Sequence, residues 1–228
     1  MLTSNEYFTK LCSLSQLRFV WEKLYMGISE RKKREKGRLR NLILDTARKL
    51  FVEFGFEKVT LRRIAGEIEY SPATIYLYFK NKDEILFELH DEGFEKFYNL
   101  QLGTISIKDP WERLRFHGMA YIKFAVENPE FYDLMFIMRG PVKALRANRE
   151  WKAGLRSFEF LKQNLVECME AGYLAKGEPE TVALAFWSLT HGISSLIIRQ
   201  RCIMFPENRM EKAVEEALGY ILDNIKKK

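Results

Sequence analysis

The sequence predicts an all-α fold in two parts, a small three-helix unit followed by a larger helical domain. Three observations lead there. Apolar residues recur at the i, i+3, i+4, i+7 spacing of a helix face through most of the 228 residues, and no segment alternates apolar with polar residues as a half-buried strand would. A short oxygen-bearing side chain precedes proline at Ser71-Pro72, Asp109-Pro110 and Asn128-Pro129, each the mark of a helix start. Between Thr60 and Lys82, two short helical patterns stand on either side of a break at Glu69-Tyr70.

The composition suits a globular chain with a real core: 47% hydrophobic and 30% charged residues. The net charge of +6 favours an acidic partner. Its location sharpens the point, because Arg31, Lys32, Lys33, Arg34, Lys36, Arg38 and Arg40 crowd one short stretch with only Glu35 among them. The three cysteines, Cys12, Cys168 and Cys202, are odd in number and scattered, which predicts free thiols in a reducing cytoplasm.

Residues 1–30 read as an N-terminal extension. They lack the basic start and continuous apolar run of a signal peptide. Leu14, Leu17, Val20, Trp21 and Leu24 suit a short amphipathic helix, and Met26 is a candidate start that would leave residues 1–25 outside the native chain. Residues 31–86 form the helix-turn-helix domain with its basic arm, flexible at first and helical towards its end. Leu39, Leu42, Ile43, Ala47, Leu50, Phe51 and Phe54 predict an amphipathic helix over 38–54, closed by Gly55.

Thr60 then caps a helix whose apolar side is Leu61, Ile64, Ala65 and Ile68. Ser71 and Pro72 restart the chain as a second short helix, about 72–78, with Ile75 and Phe79 on its inner side. Asn81 and Glu84 form a capping box for a third helix, 83–101. A short helix, a tight turn and a second short helix make a helix-turn-helix, whose second helix enters the DNA major groove. The outward residues fit that task. Thr74 can exchange hydrogen bonds with base edges, Ala73 and Leu77 can touch thymine methyl groups, and the hydroxyls of Tyr76 and Tyr78 reach phosphates. A plain helical hairpin with a tyrosine core is the bland alternative, and it leaves the basic arm unexplained.

Residues 87–228 form the second domain. Gly140-Pro141 breaks the chain, and a long helical pattern over 142–171 carries Leu145, Trp151, Leu155, Phe158, Leu165 and Met169 before Gly172 ends it. Residues 181–198 contain no Lys, Arg, Asp or Glu and touch the lower length limit of a membrane span. Thr181, Ser188, Thr190, His191, Gly192, Ser194 and Ser195 argue instead for a helix buried in a bundle, with no membrane involved. A last helix, about 208–227, has a stripe of Met210, Ala213, Val214, Ala217, Leu218, Ile221 and Ile225.

Gly55-Phe56, Thr60, Ile64-Ala65, Tyr70-Ser71, Thr74-Ile75-Tyr76, Tyr78-Phe79 and Lys82 together resemble the DNA-binding domain of the TetR family of transcriptional regulators, over about 38–86. The resemblance implies DNA contacts by Thr60, Arg62, Tyr70, Ser71, Pro72, Ala73, Thr74, Tyr76, Leu77, Tyr78 and Lys82, with Arg62 near base edges and Lys82 on a phosphate. Glu69 departs from the pattern, since the family usually places glycine in this turn. If the position is left-handed, a residue with a Cβ costs roughly 1 kcal/mol there. Residues 121–136 followed by Trp187 and His191-Gly192 are similar to a C-terminal domain type of the same family. That likeness implies a homodimer through the last two long helices and a ligand pocket among the earlier ones.

The expected function is a ligand-responsive regulator, a repressor that releases a palindromic operator when a small apolar or aromatic molecule binds. Phe116, His117, Phe124, Phe136, Trp151, Phe158, Trp187 and His191 are the candidate ligand contacts, His117 and His191 being the groups to orient it. Each histidine also reads as a satisfied core residue. No catalytic residue, metal site or cofactor is expected: His90, His117 and His191 fall in three separate helices without metal spacing, and no nucleophile elbow, phosphate loop or dinucleotide fingerprint occurs. The alternatives are an architectural DNA-binding protein or a helical protein-interaction module without a small-molecule ligand.

Overall fold

The structure, a computed structural model, describes residues 4–138 and 151–227, with side chains described for 27, 29–138, 151–206 and 208–227. Among the described residues all regular structure is helical. The helices are α1 Ser4–Phe54, α2 Leu61–Glu67, α3 Pro72–Tyr76, α4 Lys82–Leu102, α5 Pro110–Glu127, α6 Pro129–Tyr132, α7 Lys152–Glu170, α8 Pro179–Ile198 and α9 Met210–Ile225; a π turn, Asp133–Ile137, continues α6. The stripe proposed for residues 14–24, the Gly140-Pro141 break and Leu145 lie outside the described side chains or residues.

Side-chain caps set the starts of the small domain's helices. Thr60 Oγ1 accepts from the Arg63 N–H at 3.2 Å, Ser71 Oγ from the Thr74 N–H at 3.2 Å, and Asn81 Oδ1 from the Glu84 N–H at 2.9 Å. The return half of the capping box differs from expectation: Glu84 Oε2 accepts from the Lys80 N–H at 2.7 Å. Asp109 caps α5 through the N–H groups of Trp111 and Glu112. Asn128, expected to cap α6, instead closes α5, its Nδ2 donating to the Phe124 carbonyl at 3.1 Å.

Three expectations need correction. The arm is helical throughout, because α1 runs unbroken from Ser4 to Phe54. Lys, Arg and Glu are good helix formers, and Arg31 pairs with Glu35 one turn on. The recognition helix ends at Tyr76, with Leu77 and Tyr78 in the turn that follows. The helix expected to be buried on all sides is not: in α8 only Ala183, Phe186, Thr190 and Ser194 are buried within the chain, while Leu184 and Leu196 are about half exposed. That helix is long and apolar enough to cross a membrane by length and composition.

The hydrophobic core does not respect the domain boundary. One cluster runs from Ile43, Phe51, Ile64, Ile75 and Phe79 in the small domain through Leu86 and Leu89 of α4 to Phe97, Phe124, Phe131 and Met135. A second gathers α5, α7, α8 and α9 around Leu114, Leu165, Phe186 and Leu218. Helix α4 therefore belongs to the reading domain at one end and to the bundle at the other. Its Gly93 lets α6 lie close, since a Cβ there would stand 2.6 Å from Met135 Sδ.

Candidate DNA-reading face and effector cavity

Helix α3 is held from behind by Ile75, fully buried, and Phe79. What remains outside is the predicted reading face. Tyr70, Tyr76 and Leu77 are exposed large side chains, Leu77 most of all at 77%, and Ala73 beside them is exposed too. Pro72, Thr74 and Tyr78 are part-exposed. Ser71 and Thr74 link their hydroxyls at 2.9 Å, so the cap also orients the Thr74 side chain. Of the two arginines on α2, Arg63 lies over the Phe54 ring at 3.6 Å, whereas Arg62 is exposed. From the arm, Lys36 reaches over the Tyr78 ring and Arg40 over the Phe79 ring.

Lys82 has a role that the sequence did not reveal. Its ammonium donates to the carbonyls of Phe56 at 2.9 Å and Glu57 at 3.3 Å and sits 4.2 Å from the Phe56 ring centroid. It ties the start of α4 to the short 3-10 turn Phe56–Lys58 after α1. An ammonium has three donors, so one N–H is left for a phosphate.

A cavity of about 430 Å³ opens between α4, α5, α7 and α8. Five predicted contacts line it: His117, Phe136, Trp151, Phe158 and Trp187. His191 lines a smaller adjoining recess of about 250 Å³ that shares Phe136, Trp151 and Trp187. Two predictions do not join the cavity. Phe116 is 54% exposed, because the residue before His117 points a hundred degrees round α5. Phe124 is core, its ring 5.3 Å from that of Phe97. The lining residues not foreseen include Phe94, Phe97 and Gln101 of α4, Tyr121 of α5 and Ser157 of α7. Gln101 carries a usable signal: it lies four residues after Phe97 on the apolar face of α4, where a polar side chain needs partners.

Those partners are present. Ser157 Oγ donates to Gln101 Oε1 at 2.7 Å, and Gln101 Nε2 donates to the Ser157 carbonyl at 3.1 Å and contacts His117 Nε2 at 2.9 Å. Burial pushes the His117 pKa down to about 3, helped by the nearby Arg113, so the ring is neutral. At the other end, Trp187 Nε1 donates to the Tyr121 hydroxyl at 3.1 Å, and the hydroxyls of Tyr121 and Tyr132 each lie 3.0 Å from His191 Nδ1. The Tyr132 hydroxyl also lies 3.2 Å from the His191 carbonyl, as a donor. The Trp…His-Gly signature is thus one hydrogen-bonded assembly joining α5, α6 and α8. Burial lowers the His191 pKa and raises that of Tyr121. No cluster of metal-ligating side chains occurs among the described residues.

A capped helix-turn-helix on a bundle with an internal cavity defines a helix-turn-helix transcriptional regulator. The chain belongs to the TetR family: residues 43–89 match the model of bacterial regulatory proteins of the tetR family, and residues 114–219 match a tetracyclin repressor-like C-terminal domain. It is similar to the HTH-type transcriptional repressor Rv1474c of Mycobacterium tuberculosis, 40% identical over 57 residues, which cover 25% of this chain and 30% of that one. The uncharacterized HTH-type transcriptional regulator YuxN of Bacillus subtilis is 25% identical over 161 residues, 69% of this chain and 53% of the relative. The fatty acid metabolism regulator protein of Bacillus subtilis is 38% identical over 55 residues, 24% and 28% of the two chains. These matches span at most about half of each curated relative's length. Among solved structures, the TetR family transcriptional regulator PfmR from Thermus thermophilus superposes with a TM-score of 0.61 at 24% identity, covering 79% of this chain and 97% of that one. The fatty acid degradation regulator FadR from Bacillus halodurans gives 0.63 at 18% identity, covering 79% and 94%. At such identities the two establish the fold.

Proposed function

We propose that the protein is a cytoplasmic, dimeric repressor that holds a palindromic operator and releases it when a small apolar or aromatic molecule fills the cavity. The observation that carries this reading is the double membership of α4, whose first turn is tied to the small domain through Lys82 and whose later turns supply Phe94, Phe97 and Gln101 to the cavity wall. A molecule that pushes on those side chains pushes on the helix that positions α3. A second link runs from α6 to α1: Arg48 pairs with Glu130 and lies over the Phe131 ring at 5.0 Å. A 100-fold loss of operator affinity requires only about 2.7 kcal/mol of coupling.

The dimer is assigned to α8 and α9, which leave Leu184, Leu196, Tyr220, Ile221 and Ile225 exposed in the single chain. Within the stripe of α9, Val214, Leu218 and Leu222 turn inward, so Ile221 and Tyr220 are the residues offered to a second copy. Two copies would place their α3 helices in successive major grooves. On DNA, Arg62 and Thr74 are assigned to base edges and Tyr76 and Lys82 to phosphates. Operator titrations over a range of salt concentrations test the assignment. Thr74→Ala should cost about 1–3 kcal/mol on the cognate site alone, whereas Tyr76→Phe should weaken all sequences alike. Failure of the purified protein to select any duplex from a random pool would refute the reading.

A further inference from the structure

Two hydrogen-bond donors on the cavity wall have no partner: the ring nitrogen Nδ1 of His117 and the indole Nε1 of Trp151. The neighbours of His117 fix which of its nitrogens carries hydrogen. Gln101 Nε2 faces the Ser157 carbonyl, which can only accept, so the amide nitrogen is on that side. Its second hydrogen then points at His117 Nε2, which must accept. The neutral ring therefore carries its hydrogen on Nδ1, the nitrogen without a partner. His117 is 2% exposed, and a buried donor left unpaired is costly enough that native structures rarely keep one. Trp151 is held in place by Gly154, where a Cβ would lie 1.8 Å from the indole Cε2. Its ring packs edge-on against Phe94, with centroids 5.2 Å apart.

The charge of the wall narrows the class further. Among the described lining residues there is no lysine or arginine, and the single ionisable carboxylate, Glu180, lies near Lys162. Arg113, the nearest cation to His117, is already committed to Glu167, Asn164 and the Ile107 carbonyl. Burying a carboxylate here would leave it without a counter-charge. We propose that the cavity recognises an uncharged carbonyl compound, an apolar ketone or ester whose oxygen accepts from His117 Nδ1–H and Trp151 Nε1–H. This rests on the regulator reading of the same cavity and names its ligand class.

Three probes of matched size test it: valerophenone, with a ketone; pentylbenzene, with none; and phenylvalerate, with a carboxylate. Equilibrium dialysis against the DNA-free full-length protein should give valerophenone at least a tenfold lower Kd than either of the others. Trp151→Phe keeps the ring and removes the N–H; His117→Phe does the same for the other donor. Each variant should bind pentylbenzene as the wild type does, which also reports an intact cavity, and should lose most of the ketone preference. The proposal is overturned if pentylbenzene or phenylvalerate binds the wild type as tightly as the ketone, if none of the three binds, or if the preference survives undiminished in either variant. Operator affinity is measured separately. A ketone that binds as expected yet leaves operator affinity unchanged would sink the regulator reading and spare this one.

Discussion

The small domain and the bundle satisfy their polar groups in opposite ways. Around α2 and α3 the helix starts are closed by Thr60, Ser71 and Asn81, and Lys82 covers two carbonyls that would otherwise be free. Ile75 and Ile64 are fully buried beneath them. In the bundle, by contrast, a cavity of about 430 Å³ is kept open and two donors face it unpaired. The difference assigns the tasks. A reading head gains from one fixed geometry, because base edges must be met in register, whereas a sensor gains from groups that only its ligand can satisfy.

The largest effect should come from the surface that joins two reading heads. Ile221→Glu places a charge on the exposed face of α9 and should give monomers. Operator affinity should fall by about 10²–10⁴, because each half-site then binds without the linked second contact. Sedimentation and operator titration read both, and an unchanged dimer mass would move the interface elsewhere.

Next comes packing. Ile75→Ala should cost about 2–5 kcal/mol in denaturant unfolding, as a fully buried aliphatic residue in a closed core. Leu155→Ala at the cavity wall, where Leu155 is 58% exposed, should cost under about 1 kcal/mol. Equal costs would erase the contrast between a filled and an open interior.

Acid should act on the bundle side, since residues 31–86 contain no histidine. Burial lowers the His117 pKa from 6.5 to about 3 and that of His90 to about 4. Below pH 6.5 the unfolded chain takes up these protons and the native chain does not, so stability falls as pH drops through the window from 6.5 towards those values. Each histidine contributes a slope of about 1.4 kcal/mol per pH unit there. His117→Gln should flatten the measured slope between pH 6 and 4 by about one such increment; an unchanged slope would mean that His117 titrates in the native protein.

The smallest effect concerns Glu69, whose φ of 58° is left-handed as the comparison with the family pattern implied. The Tyr70 N–H bonds the Ala65 carbonyl at 2.9 Å across it. Glu69→Gly should stabilise the protein by up to about 1 kcal/mol, if relief at that φ exceeds the added chain entropy. A lower melting temperature would contradict this.

Much of the fold is legible from residues that act locally. Ser71-Pro72, Asp109-Pro110 and Gly172 each appear where the sequence places them, because a cap or a left-handed terminus is decided by a few neighbouring residues. Gln200 shows the limit. It closes α8 in the same left-handed way, at a φ of 52°, with nothing in its side chain to announce it. The cavity is half legible. Aromatic spacing finds His117, Phe136, Trp151, Phe158 and Trp187, but periodicity alone cannot separate a cavity wall from filled core, which is why it also picks out Phe124. The polar lining, Gln101 and Ser157, depends on helices far apart in sequence coming together.

Coupling between cavity and operator carries the whole regulatory scheme, and reciprocity gives its sharpest check. A small molecule recovered from the native protein, or a ketone selected by binding, is titrated into the protein with and without operator DNA. Operator should weaken the molecule's binding by the same factor by which the molecule weakens operator binding. Equal affinities in the two titrations would contradict the coupling.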